Sequence, residues 1–450
     1  MKTRSETTRS GKPRPAGGAR RSANPLRHQL PAYSPVELSG IVRASGSLLR
    51  GPRDHTSRLR GLLAEEYGAR RVILTGSGTQ ALTLALTSAL QWAGRGGEEA
   101  EAVALPAYSC YDVAAAALAS GRPLRFYDLD PDTLGPDPES LEAVVAEGVG
   151  VVVVASLFGL PLPWDTLDPI LGRSGRSGGE GERGILVIED AAQGFGGRDD
   201  EGRPLGSRGD LGVLSFGRGK GWTGSGSGGA LLIRDGGGGE SEDIAKQSDG
   251  TEGLRASSRG GALRSWTMSG ILWALSRPGL YGLPRSLPFL GLGETVYRPA
   301  GPPAAMDEAT AALLLGSRPA ADRMAELRRD AAEHYQAALE SRRPIGAVQE
   351  IPSPTWGRGG WIRYPLRLAG GMEGFVDPAR ALRLGAAGGY PRALPHLEEV
   401  GPALAPGVAE QRWPGAAELV DRLVTLPTHG RTRPGERDEL VELLPTGWRL

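Results

Sequence analysis

Short aliphatic runs alternate with helical stretches between residues 59 and 233, and this alternation constrains the fold more than any other feature. Several runs, such as 149–155, are apolar throughout, which is typical of parallel strands buried on both faces. Parallel strands need helical crossovers, so the pattern predicts an α/β architecture with a mainly parallel central sheet sandwiched by helices. We predict a helix over 80–92 and strands over 71–74, 102–105, 124–127, 149–155, 185–188, 210–216 and 229–233.

The 450-residue chain is long enough for two domains. The first 30 residues are basic and rich in Gly, Pro and Ser, which predicts a disordered tail. We assign residues 31–300 to a large α/β domain and residues 301–450 to a smaller α+β C-terminal domain. A long helical pattern over 304–340 lies near the start of the second domain, and the Gly-rich segments 172–184 and 236–264 are predicted to be exposed, mobile loops.

Composition narrows the classes of function. The formal net charge is zero, which gives no global electrostatic support for nucleic-acid binding. The sequence has no apolar run long enough to suggest a membrane span. Cys110 is the single cysteine, so no intrachain disulfide is expected, and a reducing cytoplasmic compartment fits. The five histidines show no metal-ligand spacing, and no metal site is predicted.

Lysine is scarce in this chain. Of 52 basic residues only four are lysines, and Lys220 alone lies in an apolar, strand-rich region. An arginine cannot lose its proton, whereas a desolvated lysine can become a nucleophile. The pattern indicates a reactive amine at Lys220, with chance and codon bias as the alternative explanation.

A glycine turn, GSGTQA at 76–81, joins a predicted strand to a predicted helix. Free N–H groups and the positive dipole end of such a helix can bind a phosphate, here at Gly78 and Thr79. The same letters match the dinucleotide fingerprint, but the acidic residue expected at the end of the second strand is missing at Leu105-Pro106. A helix start without a ligand is the remaining alternative.

Two further groups follow buried strands. Asp190 stands at the carboxyl end of a strand, where a carboxylate could pair with a pyridinium nitrogen, or simply cap the next helix. Ser215 and Lys220 follow the next strand. A P-loop is excluded because Leu214 and Gly221 stand where Gly and Ser/Thr are required. The amine of Lys220 could form an imine with an aldehyde cofactor while Ser215 holds its phosphate.

Together these segments resemble the DegT/DnrJ/StrS family of sugar aminotransferases, which are fold-type I enzymes dependent on pyridoxal 5'-phosphate. The resemblance covers roughly residues 32–445. The segments that carry it include SGTQALTLAL, ALPAYSCYDVAAAAL, SLFGLPLPWDTL, VIEDAAQGFGG, GSRGDLGVLSFGRGKGWTGSGSGGALL and MDEATAALLLGSR.

The resemblance implies a role for each matching residue. Lys220 would hold the cofactor covalently and shuttle a proton, Asp190 would bind the pyridine nitrogen and Gln193 would lie near the phenolic oxygen. The phosphate would be held by Gly78, Thr79 and Ser215. The family's stacking ring aligns with Cys110, so either Tyr108 or Tyr111 substitutes for it or the stacking is lost; core packing is the alternative role for both tyrosines.

Two departures from the family concern substrate. Many relatives have an asparagine after the lysine, whereas this chain has Gly221, and an acidic residue is missing before Gly228-Gly229. The segment 276–299 has no clear counterpart and could shape a distinct acceptor pocket.

The resemblance implies a two-stage transamination. Glutamate or glutamine would donate the amino group, and a keto acceptor would receive it, most often a nucleotide-linked keto-sugar for surface polysaccharide or secondary metabolism. The site would lie at a homodimer interface. Dehydration is disfavoured because relatives that dehydrate replace the lysine with histidine. A regulatory protein that retains the fold without turnover is the alternative from a different class.

Overall fold

The computed structural model describes residues 28–50, 54–93, 102–173, 185–234, 254, 259–275, 277, 296–342 and 348–445. Residues 1–27 of the predicted tail lie outside the described residues, as do most of the two Gly-rich segments and most of 276–299.

Helices and strands alternate through the first half of the chain. The helices are α1 Leu38–Arg50, α2 His55–Tyr67, α3 Gly78–Ala93, α4 Tyr111–Leu118, α5 Pro138–Ala146, α6 Trp164–Ile170, α7 Arg259–Leu275, α8 Glu308–Arg342, α9 Pro378–Arg383, α10 Pro414–Arg422 and α11 Pro434–Glu442. The strands are β1 Arg71–Thr75, β2 Ala102–Pro106, β3 Leu124–Tyr127, β4 Val149–Ala155, β5 Leu186–Asp190, β6 Arg198–Asp199, β7 Leu211–Ser215, β8 Gly229–Ile233, β9 Val348–Glu350, β10 Gly357–Arg358, β11 Tyr364–Leu368, β12 Ala387–Gly388 and β13 Leu423–Leu426.

Seven strands form the central sheet in the order β1-β8-β7-β5-β4-β2-β3. The neighbours from β7 to β3 are parallel, whereas β8 runs antiparallel to both β1 and β7. The predicted α/β class with a mainly parallel sheet is therefore confirmed.

The sheet is buried on both faces, which explains its continuous apolar strands. Val151 and Val153 belong to the core cluster that includes residues of α3 and α4. The intervening Val152 and Val154 belong to the cluster that includes Trp164 of α6 and residues of α5. Each fully buried Val or Leu side chain contributes roughly 1.5–3 kcal/mol, so neither face tolerates a polar substitution without a large loss.

A four-stranded antiparallel sheet, β12-β13-β11-β9, forms in the C-terminal part. A buried carboxylate connects this part to the central sheet: Asp128, after β3, accepts hydrogen bonds of 2.7 Å from the N–H groups of Gly415 and Ala416. These N–H groups lie in the first turn of α10, where a negative charge also meets the positive end of the helix dipole.

Two predicted boundaries change. The segment 236–264 was expected to be a loop, but α7 begins at Arg259; on its buried side Ser265 donates to Asp307 at 3.1 Å and Ser269 donates to the Gly224 carbonyl at 2.9 Å. At the end of the predicted tail, Gln29 is buried and its side chain donates to the Arg431 carbonyl at 2.9 Å. Among the described residues, no helix is long and apolar enough to cross a bilayer.

Candidate active site

The carboxyl ends of neighbouring strands bring the predicted residues together. Asp190 ends β5 and Ser215 ends β7, at the edge of the sheet where α3 begins. A Cβ atom on Gly78 would lie 2.6 Å from the Ser215 Cβ atom. Only glycine therefore lets the start of α3 approach Ser215 this closely.

The first turn of α3 lines a small cavity of about 40 Å³. The hydroxyl of Ser77, the residue before α3, accepts a hydrogen bond of 3.2 Å from the Gln80 N–H. The other N–H groups of this turn and the dipole of α3 favour an anion. The cavity is lined by Gly78, Thr79, Leu82, Cys110, Asp112, Val113, Asp190, Ala192, Ser215 and Lys220.

Lys220 lines this cavity and two adjoining ones, of about 20 Å³ and 760 Å³. Its backbone N–H donates to the Gly217 carbonyl at 3.3 Å, which closes a turn after β7. The N–H of Gly219 donates to the Ser34 hydroxyl at 2.7 Å. The lysine therefore stands on a turn that is fixed from both sides, at the point where the three cavities meet.

Neighbouring groups have opposing effects on the pKa of the Asp190 carboxylate. Burial raises its pKa, and the Lys220 ammonium partly offsets this by lowering it, while the exposed Asp112 raises it further. One carboxylate oxygen accepts a hydrogen bond of 3.0 Å from the Ala192 N–H. The side chain is therefore oriented by the main chain, and a positively charged partner would stabilise its ionised form.

Gln193 is held by two hydrogen bonds. Its Oε1 atom accepts from the Phe158 N–H at 2.7 Å, and its Nε2 atom donates to the Tyr390 hydroxyl at 2.8 Å. Phe158 has a φ of 55°, a conformation that non-glycine residues seldom adopt. The amide thus supports a strained residue on one side and a C-terminal tyrosine on the other.

Tyr390 was missed by the sequence analysis, although it lines both the cavity of about 20 Å³ and that of about 760 Å³. It follows β12, roughly 200 residues after Gln193, in the sequence GGYP. A glycine pair before Tyr-Pro indicates a turn but carries no sign of a distant partner. Burial raises the pKa of its hydroxyl, which therefore remains neutral.

The two tyrosines considered for stacking do not line the three cavities around Lys220. Tyr108 is buried, and its hydroxyl accepts a hydrogen bond of 2.7 Å from the Tyr390 N–H. Tyr111 begins α4 and is also buried. Cys110 itself lines both small cavities. Burial raises the pKa of its thiol to about 11, so this small side chain is neutral.

The glycine after the lysine has a steric cause in this chain. A Cβ atom on Gly221 would lie 2.7 Å from the Phe195 Cβ atom and 3.2 Å from Nη1 of Arg328. Arg328, on α8, is buried, and its Nη2 atom donates to the Tyr33 carbonyl at 2.9 Å. Burial lowers the pKa of Arg328 to about 10. The asparagine found in many relatives has no room here.

The cavity of about 760 Å³ is closed on one side by the N-terminal segment, through Pro31 and Ala32. His429 fixes this segment, because its Nε2 atom donates to the Leu30 carbonyl at 2.8 Å. The cationic side chains that line the cavity are Arg218, Lys220 and Arg363, and no Asp or Glu is among its described lining residues. In the described part of the chain, no three His, Cys, Asp or Glu side chains form a metal site.

Comparison with known proteins identifies the family of this chain. Residues 40–444 match the model of the DegT/DnrJ/EryC1/StrS aminotransferase family. The chain is 30% identical over 208 residues to 3-amino-5-hydroxybenzoate synthase of Amycolatopsis mediterranei, which covers 46% of this chain and 49% of that protein. It is 31% identical over 228 residues to L-glutamine:2-deoxy-scyllo-inosose aminotransferase of Streptomyces fradiae, covering 51% and 47%. The matches thus span about half the length of these relatives.

Solved structures show the same fold. The crystal structure of AtS13 from Actinomadura melliaura superposes with a TM-score of 0.67 at 24% identity, over 94% of this chain and 99% of that one. The family match extends from α1 to the residues after α11, and so includes both sheets and every cavity-lining residue of the strand ends. The chain belongs to the DegT/DnrJ/EryC1/StrS aminotransferase family.

Proposed function

We propose that this protein is an aminotransferase dependent on pyridoxal phosphate. The observation that carries the proposal is the convergence of Lys220, Asp190 and Ser215 with the start of α3 around adjoining cavities. Family membership supports the same activity. Lys220 is also the one lysine in the part of the chain that the structure describes, so no other described side chain can supply the amine.

The residues fit the phosphate of this cofactor. The close approach of Gly78 to Ser215 leaves main-chain N–H groups and two hydroxyls, of Thr79 and Ser215, beside one small cavity. These are the donors that bind a phosphate at a helix N-terminus. We infer that Gly78, Thr79 and Ser215 hold the phosphate.

The residues also fit the ring. Asp190, Cys110 and Lys220 line both small cavities, and Gln193 lines the cavity of about 20 Å³ and that of about 760 Å³. A protonated ring nitrogen would supply the positive partner that the buried Asp190 carboxylate favours. Because Cys110 stands where relatives have a stacking ring, we infer that the cofactor is bound without an aromatic ring at that position.

When bound, pyridoxal phosphate supplies an aldehyde that condenses with amines and a ring that accepts electron density. The side chains of this protein would bind and orient the cofactor and transfer a proton. Asp190 would keep a proton on the ring nitrogen, and Gln193 would orient the ring's oxygen. The Nζ atom of Lys220 would hold the cofactor and move a proton at the substrate's reacting carbon.

The keto acceptor and the amino donor enter, in this proposal, through the cavity of about 760 Å³. Its size lies within the range of small-molecule sites. Arg218 and Arg363 line it together with Lys220, and no Asp or Glu is among its described lining residues. We infer that both substrates are anionic: glutamate or glutamine as donor, and a phosphate- or carboxylate-bearing keto compound, such as a nucleotide-linked keto-sugar, as acceptor.

We also infer that the protein is a homodimer. The support is a group of exposed apolar side chains on α1 and α7, which are linked by a hydrogen bond of 2.9 Å from Trp266 to Ser45. Exposed apolar patches of this kind mark interaction surfaces. The group consists of Leu38, Val42, Leu49, Leu263, Trp266 and Ile271. Sedimentation of the wild type and of Trp266→Glu would test the assembly: a wild-type monomer contradicts it.

The activity is tested by the visible absorbance of protein loaded with pyridoxal phosphate. We expect a band from the lysine-bound cofactor that declines when glutamate or glutamine is added. Lys220→Ala should lack the band and Lys246→Ala should keep it. Borohydride followed by peptide mapping should then find the cofactor on Lys220.

A wild type without the band, or a band unchanged in Lys220→Ala, contradicts the cofactor assignment. If the absorbance band does not decline with any amino donor, transamination is contradicted and the regulatory alternative is favoured.

A further inference from the structure

A second cleft, of about 170 Å³, shares no lining residue with the three cavities around Lys220. It lies between α8 and the short ribbon formed by β6 and β10. Four arginines line it: Arg198, Arg318, Arg329 and Arg358.

One of the four arginines is paired with two carboxylates, and with Glu326 the four arginines and three acids give the lining a formal net charge of +1. Arg318 donates two hydrogen bonds to the Glu66 carboxylate, at 2.6 Å and 2.8 Å, and a third of 2.8 Å to Asp322. Both carboxylates are therefore engaged. Glu326, which is exposed, is the remaining acid among the lining residues.

The fold forces two of the other arginines together. Arg198 and Arg358 are paired residues in the antiparallel ribbon of β6 and β10. Directly opposite residues have Cβ atoms only about 4.5–5.5 Å apart, and like charges there are destabilising. The Nη1 atom of Arg198 donates a hydrogen bond of 2.6 Å to the Gly202 carbonyl. The other N–H groups of its guanidinium can therefore bind other partners.

Arg329 brings a third guanidinium from α8. Burial and the positive charge of Arg358 lower its pKa, and the helix acids Glu326, Asp330 and Glu333 oppose this. Within the described residues, no carboxylate lies within 4.0 Å of the charged nitrogens of Arg198, Arg329 or Arg358. Three guanidinium groups thus meet at one cleft without an ion-pair partner.

We propose that this cleft binds a phosphate group. Guanidinium groups match the oxygens of phosphate with paired N–H donors, and a divalent anion would offset the mutual repulsion of three cations. The volume is below the roughly 300–1,000 Å³ of small-molecule sites, which favours a compact anion. The phosphate is either free or the terminal group of an ester.

A single residue, Phe195, separates the cleft from the turn that carries Lys220. Phe195 lines the cleft, and it is the residue that crowds Gly221, directly after Lys220. The ring of Phe195 also lies 5.3 Å from the Arg318 guanidinium. Binding at the cleft is independent of the proposed activity and needs no turnover to be observed.

Calorimetric titration with inorganic phosphate tests the proposal on protein saturated with pyridoxal phosphate, so that the cofactor's phosphate site is filled. Ionic strength is kept constant with chloride. We expect saturable binding in the wild type and in Arg412→Gln, whose exposed side chain lies outside the cleft. Arg329→Gln combined with Arg358→Gln should raise Kd about tenfold or more.

Circular dichroism checks that the double variant is folded. A wild type that does not bind phosphate, or a Kd equal in the wild type and the folded double variant, overturns the proposal. Titration with glycerol 3-phosphate identifies the source: binding comparable to that of inorganic phosphate supports an ester, and binding of inorganic phosphate alone supports the free ion.

Discussion

The Nε2 atom of Gln193 donates a hydrogen bond of 2.8 Å to the hydroxyl of Tyr390, across nearly 200 residues of sequence. The Tyr390 N–H in turn donates to the Tyr108 hydroxyl at 2.7 Å. A residue after the central strand β5 and a residue after β12 therefore share one polar network at the border of the large cavity.

Tyr390→Phe should lower kcat/KM by about two- to tenfold, because one neutral hydrogen bond that orients Gln193 is lost. The melting temperature should change little, since the main-chain bond to Tyr108 remains. Steady-state kinetics of Tyr390→Phe, Gln193→Leu and the double variant measure the coupling between the two side chains. Strictly additive losses would show that this hydrogen bond does not contribute to turnover.

Arg363→Gln should raise KM for an anionic keto acceptor by roughly 10- to 100-fold, because a charge-assisted interaction is removed. KM for a neutral keto acceptor should change much less. Comparing the two acceptors in the same variant gives the measurement, with Arg412→Gln as the matched control. An equal rise in KM for both acceptors would show that Arg363 does not select for charge.

Gly221→Asn should destabilise the protein by about 1–3 kcal/mol, because the new Cβ atom overlaps Phe195. Combining it with Phe195→Ala should not relieve the overlap, because alanine keeps the Cβ atom that lies 2.7 Å away, whereas Phe195→Gly removes that atom and should relieve it. Gly61→Ala is the control: Gly61 lies in α2 with no atom within 4 Å of its Cβ position, so alanine should stabilise that helix by roughly 0.5–1 kcal/mol. Denaturant unfolding gives both values, and an unaffected Gly221→Asn protein argues against the steric explanation.

His429 makes the fold sensitive to acid. Burial lowers its pKa from 6.5 to about 4, so the unfolded chain takes up a proton more readily than the folded one below pH 6.5. Stability should therefore fall as the pH decreases from 6.5 towards 4, by about 2 kcal/mol at pH 5.

His429→Gln retains an amide donor for the Leu30 carbonyl but does not titrate. Urea unfolding at pH 7.5 and pH 5 should show that this variant loses about 2 kcal/mol less stability than the wild type. Equal losses in the two proteins would place the acid sensitivity elsewhere.

The sheet could be predicted from the sequence because local patterns determine it. The strand at 124–127 and the strands at 149–155 and 229–233 have the predicted bounds, since each is a mostly apolar run flanked by proline, glycine or polar residues. The cavity residues at strand ends followed from the same reasoning: carboxyl ends of parallel strands meet at one edge, which places Asp190 beside Ser215.

Long-range packing accounts for what the sequence did not reveal. Tyr390 reaches the cavity because the C-terminal sheet folds back onto the central one, and a glycine-rich turn gives no sign of that. The arginine cluster depends on the pairing of β6 with β10, two strands of two residues each, which are too short to have a hydrophobic period. The helix α7 was missed because glycines occur near its first turn and its buried residues, Ser265 and Ser269, are polar, so it has no apolar period.

The N-terminal segment that closes the large cavity also has a mechanical consequence. It is bound at Leu30 by His429 from the C-terminal part and at Ser34 by Gly219 of the lysine turn. Four residues of extended chain span at most about 14 Å, so this stretch acts as a short tether with little slack. A movement of the C-terminal sheet that needs more than this span between Leu30 and Ser34 must break one of these two bonds, so the tether limits how far the large cavity can open while both bonds are kept.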